Sequence, residues 1–460
     1  MARTAIIVFH GMGQQVPFQT LDAVARLIAA PNQPSAVRLV HDGQGTLPVA
    51  EISVTKDGST KEVDLYEAYW APLTEGQIAF REAASFLLGA GGQGLWHCIG
   101  SRGIFTRRMF DRDRRLPIPA STTVSLVVAL FVTLSLFLIL SSAVWLAYGM
   151  ATGQESSALA RFDQARPLLV AVVVITLAIA LVLIGVPVFL ACLWPWRHWR
   201  HVTQVGAALV LLNVMGGAVS ISLKLLGMPW EWAFWLVLLP KSLTESRLME
   251  WISMTLLLLL AWMVRRFLVQ SVGDVAIYVS SHQLNRFHRV REEIKKTAMR
   301  VASAVYGSAD PHYSRVLLVG HSLGSVIAYD TLNALLVNDR AGARGLNVAQ
   351  RTKLLLTFGS PLDKTAFIFR NQLREADFRE ALAEAKQPLI QTYTNRTMRW
   401  VNIYTLHDWI GGQLDFYDDP EYAGEGRVDN REDPEGLVPL KAHTDYWSHE
   451  ELRLALVEAL

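Results

Sequence analysis

An α/β fold, built as a small doubly wound and mostly parallel sheet with about four apolar helices inserted into it, is what the sequence predicts. Two observations carry this expectation. Short apolar runs that read as buried strands occur near both ends of the chain, at Thr4–Phe9, Val316–Val319, Lys353–Phe358 and Trp400–Thr405, the first three followed by a turn and a stretch of helix length. Between about residues 120 and 270 the pattern changes to long apolar stretches, which raise the mean hydropathy of the 460-residue chain to +0.25. The expected organisation is a first half of the sheet domain at 1–115, a helical insert at 116–272 and a second half at 273–460 with a cap-like segment near 364–398.

The most informative stretch is Val316–Asp330, VLLVGHSLGSVIAYD. A buried strand ends at Gly320-His321-Ser322-Leu323-Gly324, and a helix follows. A serine on so tight a turn projects its hydroxyl out of the backbone, and glycine two residues to either side avoids the steric clash. The same turn sets the Leu323 N–H at a helix N-terminus, where an oxyanion is favoured. Ser322 is the candidate nucleophile.

Thr4–Phe9 is a second buried strand, ending in His10-Gly11-Met12-Gly13. A backbone N–H from an early strand-to-helix loop of this H-G type supplies the other oxyanion donor in nucleophile-elbow enzymes, and Met12 is the expected position. His10, Gly11, Gly13, Gly320 and Gly324 support the two loops. Leu21–Ala30 reads as a helix, and Pro48–Lys56 with Lys61–Trp70 as a hairpin around Asp57-Gly58.

Four segments are long enough to cross a bilayer, which takes ~20 mostly apolar residues: Thr122–Met150, Pro167–Trp194, Val202–Leu226 and Trp251–Val269. Arg107–Arg115, Arg197 with Arg200, and Arg265-Arg266 flank them in a pattern that puts all three basic sites on the cytoplasmic side. An even number of crossings also returns the second half of the sheet to the same side as the first. The expectation is a multi-pass protein of a bacterial-type inner membrane with its sheet domain in the cytoplasm. Lys224 is close enough to a span end to snorkel, which speaks against a transport pathway.

Other classes fit poorly. A net charge of +2 gives no basic field for nucleic acid, and two cysteines make no disulfide framework. Gly89–Gly94 lacks the Lys-Ser/Thr of a phosphate loop, and no zinc-type ligand spacing occurs. The acidic stretch Asp415–Glu435 reads as an exposed loop rather than a metal site.

In the second half, Leu284, Phe287, Ile294, Ala298, Val301, Ala302 and Val305 form an apolar stripe at helical spacing, the core face of a crossover helix. Phe367–Glu384 reads as helix, in the position of a cap. Trp400–Thr405 ends at His407-Asp408, and a final helix over Glu450–Leu460 is preceded by His443 and His449. A triad on this kind of sheet runs Ser, then acid, then His, each partner on a loop at a strand's C-terminal end. Topology favours Asp408 as the acid over Asp363, one strand earlier, and His443 is favoured over His449 as the base because a loop before the final helix can reach over the sheet.

Taken in order, FHGMG, GHSLG, TFGSPLD, NIYTLHD and AHTDYW resemble the α/β-hydrolase superfamily, and within it the lipase- and esterase-like serine hydrolases. The resemblance covers roughly residues 1–80 and 275–460 and leaves out the insert. It implies acyl transfer to water by Ser322, His443 and Asp408, with Met12 and Leu323 N–H groups as the oxyanion hole and no metal or organic cofactor. The partners implied are the bilayer and a small-molecule or lipid ester, with oligomerisation open through the spans. Because the chain starts at the oxyanion strand, the sheet should be small. No strand is evident just before His443. A non-catalytic binding or scaffold module on the same fold is the alternative.

Overall fold

The computed structural model describes residues 3–86 except 14 and 30–35, residues 273–279, residues 285–371 except 310, 311, 343 and 344, residues 386–460 except 409, 419–423, 425 and 438–440, and scattered positions between 87 and 272. The chain divides into two units, one of 1–79, 92–125 and 270–460, the other of 80–91 and 126–269. Among the described residues no helix is long and apolar enough to cross a membrane. The spans read at 122–150, 167–194, 202–226 and 251–269 lie outside the described residues, apart from isolated positions in the last.

The first unit is an α/β domain around one mixed sheet of eight strands. In chain order these are β1 (Arg3–Phe9), β2 (Ala36–His41), β3 (Thr46–Lys56), β4 (Ser59–Ala68), β5 (Tyr313–His321), β6 (Thr352–Phe358), β7 (Arg399–Tyr404) and β8 (Val428–Glu432). Their order across the sheet is β8-β7-β6-β5-β1-β4-β3-β2. The pairings from β8 through to β4 are parallel, and β4-β3-β2 form an antiparallel meander. The β3–β4 turn is Asp57-Gly58 with φ of 50° and 72°, the two positive values that match a hairpin to strand twist.

Two expectations are corrected here. The sheet is not small: residues after β1, rather than before it, supply the strands on its far side, and β2 at that edge carries too weak an alternation to be read from sequence. The strand ahead of His443 exists as β8, inside the stretch read as an exposed acidic loop. Its acids are consumed locally: Asp418 accepts the Val428 N–H at 2.5 Å, and Asp433 accepts the Glu435 N–H at 2.9 Å.

Helices cover both faces, because successive residues of the central strands point to opposite sides. Ala5, Ile7, Phe9, Val316 and Leu318 face α3 (Asn285–Gly307) and α4 (Leu323–Arg340). Ile6, Val8, Leu317 and Val319 face α1 (Gln19–Ile28) and α6 (Glu450–Ala459). The stripe from Phe287 to Val305 on α3 is buried as core. Two shorter helices complete the parts that matter below: α2 (Gly273–Val279), and α5 (Leu362–Asn371), which begins five residues before the helix read from sequence; the rest of that segment up to 385 lies outside the described residues.

The topology itself selects a site. From β1 the chain goes to α1 on one face, and from the adjacent β5 it goes to α4 on the other. The two loops diverge at the C-terminal ends of neighbouring parallel strands, leaving a crevice at the switch point where ligands of open α/β sheets bind.

Candidate active site

Ser322 occupies that crevice on a strained turn. Its φ and ψ of 52° and −128° lie outside the regions L-residues ordinarily adopt, a strain costing on the order of 1–3 kcal/mol. The surrounding backbone enforces it: the Ser322 N–H donates to Phe358 O at 3.0 Å, and the Ser325 N–H donates to Ser322 O at 2.9 Å. At Gly324 any Cβ would collide with the backbone oxygens of Phe9 and His10, so only glycine lets α4 start against the end of β1. Gly320 is closed in the same way by Ser325.

The sequence-predicted residues Ser322, His443 and Asp408 come together from three separate loops. His443 Nε2 lies 2.8 Å from Ser322 Oγ, and His443 Nδ1 lies 2.9 Å from Asp408 Oδ2. A carboxylate only accepts, so Nδ1 carries the ring proton and Nε2 is left to accept from the serine hydroxyl. Burial opposes the Asp408 charge, yet His443, the Gly411 N–H and Lys364 together hold its carboxyl well below the usual carboxylate range. Its oxygens are fully engaged. Oδ1 accepts the N–H groups of Ile410 at 2.8 Å and Gly411 at 2.9 Å, and Oδ2 accepts a second bond from the Tyr446 hydroxyl at 3.1 Å. Tyr446 in turn accepts the Thr405 N–H at 2.9 Å, which orients its own proton towards Asp408.

The competing acid, Asp363, does not reach His443. It starts α5, where Oδ2 accepts the Asp415 N–H at 2.8 Å and Oδ1 has no partner among the described residues. Burial, reinforced by Asp415 and Asp418, pushes this carboxyl well above the usual range. His449 is likewise elsewhere, at the start of α6, with Nδ1 2.5 Å from Asp433.

His321 and His10 act as supports. Burial, with His443 beside it, pushes His321 down to about 3, so the ring is neutral and its Nε2–H donates to the His443 carbonyl at 2.8 Å. Burial also pushes His10 down to about 4. The Trp70 N–H donates to His10 Nε2 at 3.0 Å, so Nδ1 carries the proton and donates to Gly11 O at 2.9 Å. Gly11 brings this loop against the elbow, since a Cβ there would stand 3.0 Å from Ser322 Cβ.

The oxyanion candidates follow from peptide geometry. In a trans peptide the N–H points opposite to the C=O. With the Gly11 carbonyl turned to His10, the Met12 N–H faces away from that ring, and it has no acceptor among the described residues. Leu323 opens α4, so its N–H lacks an intrahelical partner. Gly13 differs, because its N–H is taken by Asp274 at 2.7 Å.

Sequence reasoning missed Tyr446, Lys364 and Asp274. Tyr446 was within reach, three residues after His443 in AHTDYW, whereas nothing local marks the other two. Among the described residues no cluster of three or more His, Cys, Asp or Glu stands where it could hold a metal. No family model, curated protein or solved structure matches the chain.

Proposed function

We propose that the protein is a membrane-anchored serine hydrolase that cleaves a carboxylic ester through an acyl-enzyme. The observation that carries this reading is the unbroken hydrogen-bonded chain Ser322–His443–Asp408, at 2.8 and 2.9 Å, hung on a strained strand-to-helix turn. A merely structural serine has no need of such a turn.

The steps follow from the geometry. His443 Nε2 takes the hydroxyl proton as Ser322 Oγ attacks the ester carbonyl. Asp408, already ionised and four times hydrogen-bonded, stabilises the imidazolium without taking its proton. Met12 and Leu323 N–H groups receive the oxyanion, and collapse expels the alcohol, which leaves with the proton from His443. Water, deprotonated by the same imidazole, then releases the acid and restores Ser322. Ser322 has no solvent exposure, so charge develops in a low-dielectric surround where each of these hydrogen bonds is strengthened.

The four apolar spans read at 122–269 support membrane attachment, with the hydrolase unit on the cytoplasmic side. An active site held at a bilayer meets lipid esters at high effective concentration, so a lipid or other membrane-partitioning ester is the substrate class of choice.

The test is fluorophosphonate labelling of the detergent-solubilised full chain. Wild type should label, and Ser322→Ala and His443→Ala should not. Wild type that stays folded yet unlabelled would favour a scaffold on the same fold. Hydrolysis of short soluble esters with none of phospholipid, acylglycerol or lysolipid in mixed micelles would sink the lipid assignment alone.

A further inference from the structure

The loop that offers the Met12 N–H is pinned on both sides of that residue, by different parts of the chain. On the upstream side His10 holds the Gly11 carbonyl. On the downstream side, Asp274 Oδ2 accepts the Gly13 N–H at 2.7 Å, a charge-assisted bond joining residues 261 positions apart. The trans geometry of the Met12–Gly13 peptide then turns the Met12 carbonyl the other way, where Gln15 Nε2 lies 3.4 Å from it.

This second pin matters because of the residue it grips. Gly13 has φ of +92°, a conformation open to glycine and rarely to other residues, so the Met12–Gly13 peptide can rotate at little steric cost. That rotation pivots on Met12 Cα, which also anchors the peptide carrying the Met12 N–H, so an unpinned Gly13 would loosen that donor from its downstream side. Asp274 is placed to prevent it: it is 5% exposed, in the first turn of α2, and burial holds its carboxyl up at about 6 against the lowering by the Gly13 N–H and Thr74. The rest of the loop is tied back by β4 and the residue after it. The Tyr69 hydroxyl donates to Gln15 O at 2.8 Å, and Glu67 Oε2 accepts the Phe18 N–H at 2.9 Å. Neither of those touches the peptides flanking Met12.

We infer that Asp274 is a positioning residue for the oxyanion hole: by holding the Gly13 N–H it sets the Met12 N–H towards the developing oxyanion and keeps Gly13 from competing for it. The inference rests on the hydrolase reading above. It assigns to the first helix of the returning chain a part in the reaction that neither the serine elbow nor the H-G loop carries by itself.

The experiment measures kcat and KM of the full-length chain in detergent on a chromogenic short-chain ester, normalised to active sites titrated with a fluorophosphonate, for wild type, Asp274→Ala and Asp274→Asn. Loss of one oxyanion donor costs about 10²–10³ in kcat, and misplacing one should cost about 10–10². Asp274→Ala is expected to lose kcat by that factor with KM within about threefold. Asp274→Asn keeps an acceptor oxygen for the Gly13 N–H and should stay within about threefold of wild type. A residue that merely stabilised the fold would lower the number of titratable sites and leave kcat per site unchanged, and that result in Asp274→Ala overturns the inference. So does Asp274→Asn as slow as Asp274→Ala. Should Asp274→Ala not fold, Asp274→Ser, too short to reach Gly13, must show the same kcat loss, and wild-type kcat in it is equally fatal. Wild type that neither labels nor turns over the ester removes the hydrolase reading and this role with it.

Discussion

The loops after β6 and β7 each lead to a buried aspartate, Asp363 and Asp408, both 5% exposed, and their carboxyls are shifted in opposite directions. Asp408 is met by four donors and a cation, and its carboxyl is held low. Asp363 is met by backbone N–H groups on one side, with Asp415 and Asp418 nearby, and is held high. Equal burial therefore has unequal consequences. What decides is whether donors or further carboxylates complete the shell. Only an acid kept ionised can orient and support an imidazolium, so of the two Asp408 alone has the environment that the proposed triad requires.

The largest expected effect is on turnover. In Asp408→Asn the amide oxygen stays on the Ile410 and Gly411 N–H groups and an NH2 donor faces His443 Nδ1, which favours the wrong tautomer and should lower kcat by about 10³–10⁴. Asp363→Asn, out of reach of His443, should leave kcat within about threefold. Equal losses in a chromogenic ester assay would break the comparison.

Next in size is the support of Asp408. Tyr446→Phe removes one donor to the carboxylate and leaves the buried Thr405 N–H without its acceptor. A loss of about 1–3 kcal/mol in urea unfolding is expected, with kcat reduced by up to about tenfold. No change in either would mean the Tyr446 hydroxyl is idle.

The smallest effect is in the pH dependence of stability, where the two acids have opposite signs. Asp408, held below its unfolded value, contributes stability that is present above about pH 4 and is lost as the pH falls through its folded value. Asp363, held above its unfolded value, withdraws stability as the pH rises past about 4. Asp363→Asn should therefore gain in Tm over wild type between pH 4 and 7, and Asp408→Asn should lose. Parallel Tm profiles for the two variants would show that the environments do not differ as described.

How legible this was depends on distance along the chain. GHSLG and FHGMG could be read because strand, turn and helix are local, and the close approaches at Gly11 and Gly324 leave a mark in composition. The choice of Asp408 over Asp363 rested on topology, on which strand each loop follows, since nothing around either residue in sequence reveals Tyr446 or Asp415 as a neighbour in space. Edge strand β8 was hidden because its residues, VDNRE, are polar on both faces, as an edge allows.

By itself, the sequence determined the apolar runs of the central strands, the amphipathic stripe of α3 and the two glycine-bearing loops, because periodicity and steric permission act within a few residues. Tertiary structure alone decided which buried carboxyl is held low and which high, which histidine nitrogen holds the proton and what holds Gly13. Those depend on donors and charges brought together from residues up to 261 positions apart, and a carboxylate's charge is set by the whole of its shell.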